Sequence, residues 1–160
     1  MAADLPLSGI QGYIAFLKAQ GEVRSALDEA FEYHAPLGIA APPSQTALIN
    51  ADLQDLGEAG LSAKPIIRFA NAYESLGAAW VVAGSSMGNR TMLARRRKSG
   101  YDTANAFFAD ASMPAYFTHV VKILNTPFTE PEQQQICAGA CRTFALFEGR
   151  FAAIGQACAA

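Results

Sequence analysis

Leu76-Gly-Ala-Ala-Trp-Val-Val-Ala-Gly-Ser-Ser-Met-Gly-Asn-Arg90 is the most informative stretch of the chain. Gly77, Val81, Gly84 and Gly88 fall at steps of four, three and four, which puts three glycines on one face of a helix with Ser85 beside them. Each interior glycine weakens a helix by about 0.5–1 kcal/mol relative to alanine, so the three together cost about 2–3 kcal/mol. Something has to offset that. A face without side chains lets another body come up to the backbone, and glycines also let a helix bend. A flat ligand and a neighbouring helix are both possible occupants at this point.

Working outward, helical periodicity runs through almost the whole chain. This central helix is expected from about Phe69 to Arg97, interrupted only by glycines, with Gly100 ending it. Before it, Phe16, Gln20, Val23, Leu27, Phe31 and His34 draw a stripe along a first helix that Ser8 would cap and that ends near Tyr33. Pro36, Gly38, Pro42 and Pro43 then mark a loop, which Ser44 closes by capping a second helix through Leu56, with Gly57 as its stop. Gly60 and Pro65 lie in the next loop. Toward the C-terminus, Ser112 and Pro114 start a helix that reaches about Leu124. Thr129 and Glu132 form a T-x-x-E capping box before Ile136, Ala140, Phe144, Phe147, Phe151 and Ile154 at helical spacing. No alternating β-branched run is flanked by a hairpin turn. The fold class is all-α, and nothing divides residues 1–160 into two domains.

Composition narrows the function. The 160 residues are 51% hydrophobic and 16% charged, enough apolar material for a packed core. Twelve basic against fourteen acidic side chains give a net charge of −2, which argues against binding nucleic acid through phosphates. The first residues lack a secretory pattern, and the longest uncharged apolar stretch, near Leu76–Gly84, is far short of the roughly 20 residues that span a bilayer. A cytoplasmic protein is expected. Cys137, Cys141 and Cys158 are odd in number and have no ligand partner at metal spacing, so they read as reduced thiols, with Cys137 and Cys141 buried on one helix face. His34 reads as a helix-terminus residue and His119 as a partly buried, hydrogen-bonded imidazole. Neither a Walker loop nor a nucleophile elbow is present, and Glu29 and Glu32 read as a solvated face.

Trp80-Val-Val-Ala-Gly-Ser-Ser-Met-Gly88 resembles the Y-V-x-E-G-S-x-L-G segment of the distal helix in bacterial, biliverdin-producing haem oxygenases. Tyr13-Ile-Ala-Phe-Leu17 is similar to the family's Y-x-x-F-L, and Asp52-Leu-Gln-Asp-Leu-Gly57 to its D-L-x-x-L-G. Phe107-Phe108 resembles an aromatic pair after the distal helix, and Ala140-Cys-Arg-Thr-Phe144 through Phe147 its closing helix. The order and spacing of these pieces carry the resemblance over nearly the whole chain. It implies one all-helical domain that sandwiches haem as cofactor and substrate, opened to biliverdin, iron and carbon monoxide with O₂ and an outside electron donor.

Carried over by position, Gly84, Ser85 and Gly88 would line the distal wall, with Met87 packing near it. The run Arg95-Arg-Arg-Lys98 reads first as cations suited to the helix dipole and a solvated surface; the functional alternative is a rim for propionates, for which Arg142 and Arg150 are weaker candidates. The sequence departs from the family in two places. Ala83 stands where the motif has an acid. The chain begins twelve residues before Tyr13, so the upstream helix and its axial histidine are expected to be absent. Three readings follow: an oxygenase with a substitute ligand, a non-catalytic binder of a tetrapyrrole or another flat ligand, and an interaction module in which a second subunit, as in a homodimer, covers exposed apolar surface.

Overall fold

In the computed structural model, residues 9–61 and 64–159 are described, with side chains through residue 153. They form α1 (Ile10–Tyr33), α2 (Thr46–Asp55), α3 (Ala72–Ser85), a 3-10 turn (Ser86–Gly88), α4 (Asn89–Lys98), α5 (Ala106–Ala109), α6 (Ser112–Leu124) and α7 (Glu130–Ala159). No strand occurs among the described residues. The expected all-α class is what the chain adopts. Among the same residues no helix is long and apolar enough to cross a membrane.

α1 is the central element. Its stripe from Phe16 to Phe31 is buried as expected, but so are Tyr13, Leu17 and Arg24 on its other sides, because α2, α3, α5 and α7 surround it. His34 ends this helix, exposed, with its N–H donated to the carbonyl of Ala30. Ser8, the expected cap, lies outside the described residues, as do the side chains of Ile154 and Cys158.

The expected single helix over 69–97 is two helices. It starts later, at Ala72, because the Asn71 side chain accepts from the N–H groups of Tyr73 and Glu74. It then tightens into a 3-10 turn between two glycines. There the Ser85 hydroxyl bonds back to the Val82 carbonyl at 2.7 Å, a competition that bends helices. Gly100, with φ of +85°, ends α4 as read from sequence, and Gly57, with φ of +75°, ends α2. α2 itself begins one residue later than expected: the Ser44 hydroxyl is engaged with Asp28, and Gln45 takes the cap position. α6 covers the expected span. At the start of α7, Glu132 reaches back to the Thr129 N–H at 2.7 Å, which is one half of the expected capping box.

Two expectations about burial are corrected. Cys137 and Cys141 are exposed, since they lie on the side of α7 away from α3, and His119 is exposed on α6.

The unforeseen short helix α5 hangs on Asp52. Its carboxylate accepts from the N–H groups of Ala106 and Phe107 at 2.7 and 2.9 Å. Tyr13 is tied to the same loop by donating its hydroxyl to the Ala104 carbonyl at 2.9 Å, and the buried Arg96 guanidinium lies 3.5 Å from the centre of the Tyr13 ring. Burial, with Asp52 nearby, raises the Tyr13 phenol above its ordinary range; burial is likewise the main reason the Asp52 carboxyl is raised. The side chains of the Y-x-x-F-L, D-L-x-x-L-G and Phe107-Phe108 pieces therefore meet in one knot around α1.

α3 and α7 run in the same direction and touch through main chain. A Cβ on Gly77 would stand 1.9 Å from the Ile136 carbonyl oxygen, and one on Gly139 would stand 1.9 Å from that of Glu74. Neither backbone can yield cheaply. Gly88, by contrast, has nothing within 4 Å of its Cβ position and φ of −81°. Gly77→Ala or Gly139→Ala is expected to destabilise the fold by about 3 kcal/mol or more, the upper range of overpacking. Gly88→Ala is expected to be neutral or to stabilise by about 0.4–1 kcal/mol. Urea unfolding of the three variants against the parent chain measures both effects.

Candidate functional site

Beyond the Gly77–Gly139 contact, α3 and α7 line a cavity of about 500 Å³ that α1, α4 and α5 complete. That volume falls within the roughly 300–1,000 Å³ of small-molecule sites. Its α3–α4 wall presents Val81, Ser85, Gly88 and Met92 at helical spacing, with Asn89 and Thr91 beside them. Facing them on α7 are Phe144, Phe147 and Phe151, and the floor is Phe16 and Gln20 of α1 with Phe108 of α5. The rings are packed on one another: Phe16 lies 5.6 Å from Phe108 and 5.8 Å from Phe151, and Phe147 stacks on Phe151 at 6.5 Å and 20°. At the rim, Phe144 is 39% exposed and Trp80 meets it edge-on at 6.3 Å. The chain's single tryptophan thus touches the wall.

The cavity has one polar edge. Gln20 Oε1 accepts from Arg24 Nε at 3.0 Å, and Arg24 Nη2 donates to Ser85 Oγ at 2.9 Å and, at 3.4 Å, to Ser86 Oγ. Arg24 is 2% exposed and makes no ion pair with any carboxylate among the described residues; its Nη1 has no hydrogen-bond partner. Its guanidinium lies over the Phe107 and Phe147 rings at 5.2 and 6.0 Å. Burial pulls this guanidinium down to about 10, opposed at longer range by Asp28 and Asp110.

The sequence-derived site residues separate in space. Ser85 and Gly88 are on the cavity wall. Gly84 faces α6, where a Cβ would meet the Phe117 ring at 3.4 Å. Met87 is 53% exposed and outside the wall. Arg95 is exposed and also outside it, and the neighbouring Arg96 is buried in the Tyr13 knot with its Nε donating to Asn105 at 2.8 Å. Arg142 ties α7 to α3 and the preceding segment, donating to Glu74 at 2.8 Å and to the Arg68 carbonyl, while Arg150 pairs with Glu22. Ala83 is fully buried in the core, so the family's acid has no opening there. Gln20, Arg24 and the α7 aromatics were not foreseen as site residues. The available signal was a polar pair at i and i+4 inside an otherwise apolar helix.

The wall suits a planar ring better than it suits iron. Haem iron is held by histidine, cysteinate, tyrosinate or a methionine paired with histidine. Among the described residues the cavity offers only the Met92 thioether, since none of their histidines, cysteines or tyrosines lines it. Among the described residues no cluster of three His, Cys, Asp or Glu side chains could hold a metal.

Among solved structures, the chain is similar to the NO- and CO-bound haem oxygenase of Neisseria meningitidis, with 21% identity over 93% of this chain and 79% of that one and a TM-score of 0.73. The likeness is one of fold: the chain has a haem oxygenase-like helical fold. No family model and no curated protein matches the sequence.

Arg24 carries a sign that stability measurements can read. Its folded-state value lies below that of an exposed guanidinium, so the unfolded chain holds the proton more tightly and the buried charge opposes folding at neutral pH. Taking a charge without an acidic partner out of water costs several kcal/mol, which an apolar side chain of similar volume does not bear. Arg24→Met is expected to raise unfolding stability at pH 7 by about 1–3 kcal/mol. Urea titration at pH 7 checks it.

Proposed function

We propose that this chain binds a flat tetrapyrrole in the cavity between α3–α4 and α7, as a ligand rather than as a substrate opened on iron. The observation that carries the reading is the facing of the Gly88–Ser85–Val81 edge against the Phe144, Phe147 and Phe151 rings across a space of ligand size. Aromatic rings favour offset stacking on another π-face, and a wall with no side chain at Gly88 leaves room for it. The haem oxygenase-like fold supports a tetrapyrrole as the class of ring. Opening that ring requires an iron with a strong axial donor, and the described residues of the cavity wall supply none, which is why the binding reading is preferred. Trp80 and Phe144 at the rim would remain partly exposed after the ring enters, and a second copy of the chain is the expected cover.

The single tryptophan provides the test. Iron-free protoporphyrin IX and haemin are both expected to quench Trp80 fluorescence, with affinities within about tenfold of each other, or about 1.4 kcal/mol. Gly88→Phe, which places a side chain in open space, should fold normally and weaken both by at least about tenfold. Absence of quenching by either ring overturns the reading. Haemin bound some hundredfold tighter than the iron-free ring, about 2.7 kcal/mol, would restore iron coordination in its place.

A further inference from the structure

The cavity edge at Gln20 and Arg24 is a second, more specific feature. Nitrogens of a guanidinium can only donate, so Gln20 must turn its oxygen toward Arg24, and its amide nitrogen is left pointing elsewhere. That nitrogen has no partner among the described residues and is not among the sealed, unsatisfied atoms, and Gln20 lines the cavity. A free double donor therefore faces the ligand space. Directly behind it stands a fully buried positive charge with one orphaned nitrogen, Nη1.

Buried polar groups are almost always paired, and a buried charge without a partner is among the least favourable arrangements a fold can hold. The negative charges nearest to Arg24 do not discharge the debt by contact. Asp110 is reached only through a relay in which Arg24 donates to Ser86, Ser86 to Gln45 Oε1 at 3.4 Å, and Gln45 Nε2 to Asp110 at 2.6 Å. The Asp28 carboxylate is occupied by the hydroxyls of Ser44 and Thr46. Arg150 also has an orphaned nitrogen, but its charge is paired with Glu22. Among the described residues Arg24 alone combines an unpaired charge, an unpaired donor and neighbours on the cavity wall. In an apolar wall of phenylalanines that positive potential is poorly screened and extends into the cavity.

From this juxtaposition we infer that the Gln20 amide at the cavity edge, backed by the buried Arg24 charge, is an anion subsite, and that the ligand is a flat apolar body bearing a carboxylate which enters carboxylate first, toward the protein interior. The inference rests on the cavity being a ligand site and adds the charge and orientation of the ligand. The Gln20 amide donates to a carboxylate oxygen, and the Arg24 charge packed behind it supplies the neutralisation. A carboxylate left at the solvent rim would have no use for this edge.

The experiment compares protoporphyrin IX with its dimethyl ester, which has the same ring and no negative charge, by quenching of Trp80 in the full chain. The free acid is expected to bind at least about tenfold more tightly than the ester. In Arg24→Met that ratio should fall to near one. Gln20→Glu, which puts a carboxylate oxygen in place of the free amide beside Arg24 Nε, should likewise lose the preference for the acid. Equal binding of acid and ester by the parent chain overturns the inference while leaving the cavity reading intact. So does an acid preference that survives Arg24→Met or Gln20→Glu. Failure of both compounds to bind overturns the cavity reading itself, and the subsite with it.

Discussion

The contact of the α3 and α7 backbones at Gly77 and Gly139 is the constraint from which the rest of the architecture follows. Carbonyl oxygens stand where the two glycine side chains would be, facing Cα–H groups, an arrangement worth about 0.5–1 kcal/mol per contact. That gain and the burial around it offset the helix weakening of the two glycines, about 0.5–1 kcal/mol each. The contact fixes the register of α7 on α3, so that Tyr73 meets Glu132, Glu74 meets Arg142 and Trp80 meets Phe144. Once the register is fixed, the next residues of α3 are small, the next residues of α7 are phenylalanines, and α1 passes beneath. The cavity is what remains between elements locked together one turn earlier.

The glycine spacing announced that something approaches the helix, without saying what. It also assumed one helical phase over twelve residues. The 3-10 turn at Ser86–Gly88 advances about 120° per residue instead of about 100°, so the phase drifts where Gly88 sits. Gly77 meets main chain and Gly84 meets Phe117, both within α3, while Gly88 opens on the cavity. Local signals were legible wherever a short-range interaction decides the outcome: Ser112 with Pro114, Thr129 with Glu132, Gly57 and Gly100. The start of α3 at Asn71, the existence of α5 and the buried pair Gln20–Arg24 depend on partners 30 to 60 residues away or on a cap hidden among loop residues, and periodicity alone does not report them. The exposure of Cys137, Cys141 and His119 has the same origin, since which face of α7 or α6 is covered is decided by distant elements.

The residues that carried the family resemblance are chiefly structural. Tyr13, Asp52 and the Phe107–Phe108 pair belong to the knot that holds the 100–107 segment on α1, where Asp52 takes the place of a missing helix cap for α5. Such a knot conserves a shape and leaves the chemistry free. That is consistent with a fold shared at 21% identity and with a cavity wall that carries no histidine. The motif serines divide the same way: Ser86 is buried in the relay to Gln45, whereas Ser85 stands at the cavity between Arg24 and the Val82 carbonyl.

Arg96 and Arg24 make the decisive comparison, because both are arginines buried against aromatic rings in one small protein. Arg96 is closed off: it lies on Tyr13, is flanked by Tyr101, donates to Asn105, and leaves no buried nitrogen unpaired. Its charge is part of a finished structural joint. Arg24 has the same side chain and comparable burial, yet it lacks an acid in contact, keeps Nη1 idle and has turned a glutamine amide toward open space. A fold that can complete one buried arginine has the means to complete another. The difference is that the unfinished one is bonded to Gln20 and Ser85 of the cavity wall, where the proposed ligand would make a demand on the charge opposite to that of stability.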